Sequence, residues 1–176
     1  MVNLGIVYPF LDGGVIDNLN KIIEDYGQKA IGILKKDYIL GQRDILPTDT
    51  IIGGASPDNW STLAAATATT KVNAIAVQTK VEIDQCVLVL GWYANRNLGP
   101  DSRLFLQVND KIRAPVPAES VFRAPGNFLL TPKLLVFLKN TDRINFNIAN
   151  ALAVAVDGIF FPLGIVYGEP GVLGVD

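Results

Sequence analysis

Apolar residues at positions 15, 19, 22, 23, 26, 30, 33 and 34 recur at three- and four-residue spacing, with Lys21, Glu24, Asp25 and Lys29 in the intervals. That is the period of one amphipathic α-helix. Asp12-Gly13-Gly14 supplies a turn and a cap before it. Gly27 and Gly32 each lower its intrinsic stability by about 1 kcal/mol relative to Ala, so the helix depends on packing its stripe against something else.

From Gly41 to Ser61 the pattern changes. Pro47, Gly53, Gly54, Pro57 and Asp58-Asn59 leave room only for the short apolar pieces Ile45-Leu46 and Ile51-Ile52, which reads as an extended connector. Beyond it the period becomes two. Val72, Ala74 and Ala76 alternate with Asn73, Ile75 and Val77, and Val81 and Ile83 alternate with Lys80, Glu82 and Asp84. Val87 to Tyr93 is continuously apolar and rich in β-branched and aromatic residues, as in a buried central strand. Its Trp92-Tyr93 pair places at least one aromatic ring in the core.

Leu104, Leu106 and Val108 run into Asn109-Asp110, a turn-forming pair, and Ile112 begins the return strand of a hairpin. Further strands are expected at Val116 to Phe122, Asn127 to Leu130, Ile144 to Ile148, Ala151 to Val156 and Ile159 to Tyr167. Thr131-Pro132 would suit a helix start, so Pro132 to Leu138 reads equally as a helical turn or a strand. About eight short strands without a helix after each disfavour parallel α/β units. The expected fold is mainly β, an antiparallel β-sandwich or jelly-roll-like body (62–176) behind an N-terminal helical arm and extended connector (1–61).

Composition narrows the function. One Cys, no His and 176 residues leave no cluster for zinc or iron–sulfur ligation and no internal disulfide. Fifteen Lys and Arg against seventeen Asp and Glu give a net charge of −2, with the cations dispersed, so nucleic acid is not an expected partner. No Lys or Arg precedes Lys21, which does not fit a cleaved export signal. The apolar stretch from Ala151 to Tyr167 holds Asp157 and Pro162, so no membrane span is expected there. Arg113-Ala114-Pro115 recurs as Arg123-Ala124-Pro125, read as two loop or strand-edge positions interrupted by Pro.

Without His, the usual Ser and Cys nucleophile arrangements cannot be built, and none of the serines has a nucleophile-elbow context. A carboxylate pair could still serve a glycan-cleaving enzyme; Glu82 and Asp84 share one strand face in this reading, although a solvated edge explains them better. Asp58, Asn59, Asp101, Asn109 and Asp110 are oxygen donors suited to calcium but lack an EF-hand spacing, and turn formation accounts for them. Asn59-Trp60-Ser61 matches the N-glycosylation pattern, and the glycine pairs match no phosphate-binding loop. No cofactor, no metal and no enzymatic activity are expected.

What remains are the parts of an assembly protein: an apolar-rich chain, an amphipathic arm and a β body. Its organisation, notably Ile83 through Asn109 with Gly91-Trp92-Tyr93 and Leu104 to Asn109, and Ile144 to Gly168, resembles the cement or decoration proteins of tailed-bacteriophage capsids. The resemblance spans roughly the C-terminal two thirds. It implies a homotrimer or similar cyclic oligomer on the capsid exterior, assembled in the host cytoplasm, that clamps neighbouring major capsid subunits. Residue type then nominates Leu19, Ile22, Ile23 and Tyr26 on the helix, Trp60 as a surface anchor, and Arg113 and Arg123, whose guanidiniums suit an acidic capsid surface. The alternative is a carbohydrate-binding or adhesin-type sandwich of a phage tail or host-recognition device, with Trp60, Trp92 and Tyr93 as stacking platforms.

Overall fold

A computed structural model describes residues 13–37, 39–46, 71–73, 79–94, 102–123, 128–130, 135–149 and 160–173. The apolar periodicity at the start becomes helix α1 (Gly13–Leu34). The glycines expected to precede it form its first turn. The helix ends at Lys35, in the left-handed conformation at φ 54°, and the Lys36 N–H returns to the Ile31 carbonyl at 3.2 Å. That six-to-one bond across a left-handed residue is a Schellman ending, a position where Gly is the usual occupant.

Among the described residues, ten strands follow in two antiparallel sheets. The first contains β1 (Gly41–Asp44), β4 (Cys86–Ala94), β7 (Phe128–Leu130), β8 (Val136–Leu138) and β10 (Phe160–Gly168). Its order is β1-β10-β4-β7, with β8 also on β4. The second contains β2 (Lys71–Asn73), β3 (Thr79–Lys80), β5 (Arg103–Val108), β6 (Lys111–Pro117) and β9 (Arg143–Ala149), in the order β2-β9-β5-β6 with β3 also on β9. β7 and β8 pair with successive parts of β4, and β2 and β3 with successive parts of β9, so each short pair acts as one interrupted strand.

The arm joins the body. Leu19, Ile23 and Ala30 of α1 are buried in one cluster with Cys86, Leu88 and Leu90 of β4 and Leu163, Ile165 and Tyr167 of β10. The described part of the expected connector opens as β1, paired along Gly41↔Gly168 to Asp44↔Ile165. Alternate residues of a strand face opposite sides, so Val87 and Val89, also buried, lie on the sheet face away from the helix.

At the centre of β4 the alternation is reset. Gly91 pairs with Leu163 and Val89 with Gly164, so Leu90 is an extra residue opposite β10. Tyr93 therefore returns to the helix side, half-buried against the cluster, while Trp92, 1% exposed, lies outside that cluster. The expectation of a core ring in this pair holds. Gly164 makes the irregularity feasible: a Cβ there would sit 2.1 Å from the Leu88 carbonyl oxygen.

Two local expectations are corrected and one open reading is resolved. Glu82, Ile83 and Asp84 lie in the turn before β4, where Gln85 N–H bonds the Glu82 carbonyl, so Glu82 and Asp84 do not share a strand face. The strand expected at Val116 to Phe122 stops at Pro117 and turns into helix α2 (Ala118–Phe122), with Glu119 in its first turn and Arg123 paired back to it four residues on. Of the two readings for Pro132 to Leu138, Val136–Leu138 is strand, because β4 offers it an antiparallel partner. A last short helix, α3 (Pro170–Leu173), follows β10. The expected strand at Ala151 to Val156 lies outside the described residues.

Candidate interaction surface

The Asn109-Asp110 pair makes the expected two-residue hairpin turn, with φ of 47° and 67° at the two positions, as a type I′ turn requires. This sets the register Val108↔Lys111 and Leu106↔Arg113. Directly opposed residues share a face, so Lys111 and Arg113 project on the same side as buried Val108 and Leu106. Among the described residues β6 is an edge strand, and Lys111 and Arg113 are exposed on it.

Across that margin stands β8, at the edge of the first sheet. The two edges bound a cleft of about 450 Å³, lined by Val108, Leu135, Val136 and Phe137 on its apolar side and by Lys111, Arg113 and Lys139 among its cations. Asn109 and Asp142 form its end wall. Asn109 Nδ2 donates to Asp142 Oδ1 at 2.8 Å, and the Lys139 N–H donates to Asp142 Oδ2 at 2.8 Å. The Arg143 N–H donates to Asn109 Oδ1 at 2.9 Å, tying this corner to β9. Both oxygens of Asp142 are thus engaged by neutral donors, and Lys111, Arg113 and Lys139 form no ion pair among the described residues. The described lining thus sets three cations against one carboxylate, a net positive charge beside apolar residues.

The remaining nominated residues fall elsewhere. Leu19 and Ile23 are 5% and 2% exposed, and Ile22 and Tyr26 pack half-buried against the same cluster, Tyr26 against Phe137 with ring centroids 5.0 Å apart. The helix stripe thus packs on the chain's own sheet; Leu19 and Ile23 offer no surface to a partner. Arg123 is largely exposed, paired with Glu119, and does not line the cleft. Its Arg113 counterpart lies on an edge strand interrupted in register near Ala114-Pro115, as the echo suggested. Trp60 and the donors Asp58, Asn59 and Asp101 lie outside the described residues. Buried Trp92 presents no face on which a sugar could stack.

A second cleft of about 580 Å³ separates α1 from β1, lined by Glu24, Gly27, Gln28, Ile31, Leu40 and Tyr167 among others, and exposed Ile39 rims it. Among titratable groups, burial pushes the Cys86 thiol up, an unreactive setting. Among the described residues no three His, Cys, Asp or Glu gather in a way that could hold a metal ion, and no helix is long and apolar enough to cross a membrane.

Residue type alone pointed to Arg113; Lys111 follows from the two-residue turn, which fixes the face it shares with Val108. Lys139 and Phe137 carried no sequence signal, because they reach the site through the long-range pairing of β8 with β4. The chain matches no protein-family model and no curated protein.

Proposed function

We propose that this protein is a non-enzymatic virion component that binds the outer surface of a capsid as a homo-oligomer, a trimer, and stabilises contacts between major capsid subunits. Among the described residues, counting each interrupted strand once leaves eight strands, and the pairings nest about the Asn109-Asp110 turn: first with eighth, second with seventh, third with sixth, fourth with fifth. We read this nesting as a long antiparallel hairpin rolled into a jelly roll, a double-sheet architecture used by viral capsid and lectin domains. In this reading the second sheet covers Val87, Val89 and Trp92, and Leu106, Val108, Val116 and Ile144 close the core from the other side.

Fold alone does not assign function. The observation that carries the reading is the cleft of Lys111, Arg113 and Lys139, cations held together without carboxylate partners among the described residues on an exposed sheet edge, which suits an acidic protein surface. Arg123 adds an exposed guanidinium nearby in sequence.

Light scattering on a sizing column, at low and high salt, tests the oligomer. The expected result is a trimer that persists in high salt, held by apolar contacts. A monomer at all concentrations in both buffers contradicts it.

A further inference from the structure

We infer that the cleft between β6 and β8 is a docking groove for an extended acidic segment of a partner protein, one that alternates carboxylates with apolar side chains. The inference rests on the reading of this chain as a partner-binding protein and names the chemistry of what binds. Three features support it. Lys111 and Arg113 come from the edge of one sheet and Lys139 from the edge of the other, so positive charge stands on both walls. Val108 and Val136 supply the apolar surface on which a side chain between two carboxylates would rest, while Leu135 and Phe137 join the lining from positions whose side chains pack on the α1 cluster. Asp142, the carboxylate in the lining, has both oxygens bonded to Asn109 Nδ2 and the Lys139 N–H, so it does not neutralise the cations by pairing with them.

Inward-pointing cations on an edge strand also discourage sheet-to-sheet aggregation. Lys111 and Arg113 meet that need on β6, and Lys139, next to β8, meets it on the other edge; that role alone predicts no saturable binding of an acidic peptide. Recognition falls to side chains, because Pro115 and Pro117 lack an N–H and the register shifts beside Leu104, so β6 cannot offer a continuous ladder to an added strand. The groove volume of about 450 Å³ lies in the range of specific ligand sites.

The test uses the purified full-length chain and a fluorescein-labelled octapeptide of alternating Glu and Leu, followed by anisotropy, with a Gln-and-Leu octapeptide as the uncharged control. The expected result is saturable binding of the acidic peptide, weakened about tenfold or more in Arg113→Glu/Lys139→Glu and within about twofold of wild type in Lys21→Glu, an exposed helix cation away from the groove. Raising the ionic strength from about 0.05 M to about 0.5 M weakens it as well. The milder Lys139→Gln, which removes charge without adding repulsion, shows an intermediate loss. Equal affinity of wild type and the double variant, or of the Glu and Gln peptides, overturns the inference. Failure here with a trimer in solution removes the groove and leaves the virion reading standing; peptide binding by a monomer does the reverse.

Discussion

The phenol of Tyr167, on β10, donates a hydrogen bond of 2.7 Å to the backbone carbonyl of Ile23 in the middle of α1, across 144 residues of chain. The ring passes beside Gly27, where a Cβ would come within 3.4 Å of Cε1, so the small residue leaves room for the approach. Burial first, and the neighbouring Tyr26 second, push the phenol's pKa well above its usual range, so it remains a donor wherever the protein is folded. Tyr167→Phe keeps the packing and loses the bond, and about 1 kcal/mol of stability should go with it. Tyr167→Ala also empties a core position and should cost about 3–5 kcal/mol. Urea midpoints of the two variants measure both.

Two glycines should respond in opposite directions. At Gly164 a methyl group would meet the Leu88 carbonyl oxygen at 2.1 Å, a backbone atom that cannot swing away, so Gly164→Ala should destabilise by about 3 kcal/mol or more. Gly32 has nothing within 4 Å of a built Cβ and lies inside α1, so Gly32→Ala should stabilise by up to about 1 kcal/mol. Thermal unfolding separates the pair by sign.

Lys35 holds a left-handed conformation that costs a residue with a Cβ about 1–2 kcal/mol, while its ending bond from Lys36 N–H to Ile31 requires that conformation. Lys35→Gly should therefore raise stability by about 1 kcal/mol, and Lys35→Val, with its branched Cβ, should lower it. Denaturant titrations of both variants check the assignment.

Asp44 is a described carboxylate whose ionisation opposes folding. Burial raises its pKa from the ordinary 3.8, and its Oδ1 has no hydrogen-bond partner among the described residues. A raised folded-state pKa means that the folded state binds the proton more tightly. The resulting stabilisation is complete below 3.8 and is lost as pH rises through the raised value, leaving a buried charge at neutral pH. Asp44→Asn should accordingly raise the melting temperature at pH 7, with the gain shrinking toward zero as pH falls to about 4. A gain that is constant with pH would show that the carboxylate charge is not its source.

Much of this arrangement is legible in local pattern. The spacing of Leu19, Ile23 and Ala30 marks the helix and its buried face, and Asn109-Asp110 marks a turn whose two positive φ values few other residue pairs tolerate. What local pattern misses depends on partners far along the chain. Ala118–Phe122 contains Val121 and Phe122, good strand formers, but β6 ends at Pro117 and the Glu119–Arg123 pair fits a helical turn. Trp92 and Tyr93 exchange faces because Leu90 is the extra residue opposite Gly164, 74 positions away. The stripe of α1 looked available to a partner because nothing near it in sequence could cover it; the cover comes from β4 and β10. In the groove, Lys111 and Arg113 follow from one turn, whereas Lys139 is placed by the long-range pairing of β8 with β4 in the first sheet, which no short window contains.

The location of the protein on the particle tests the central claim most directly. If the proposal holds, antibodies raised against the purified chain, applied with gold to intact virus particles assembled from a genome that carries its gene, decorate the outer capsid surface at regular sites. Particles that carry the chain nowhere on their surface, or only on their tails, would contradict the proposed capsid role.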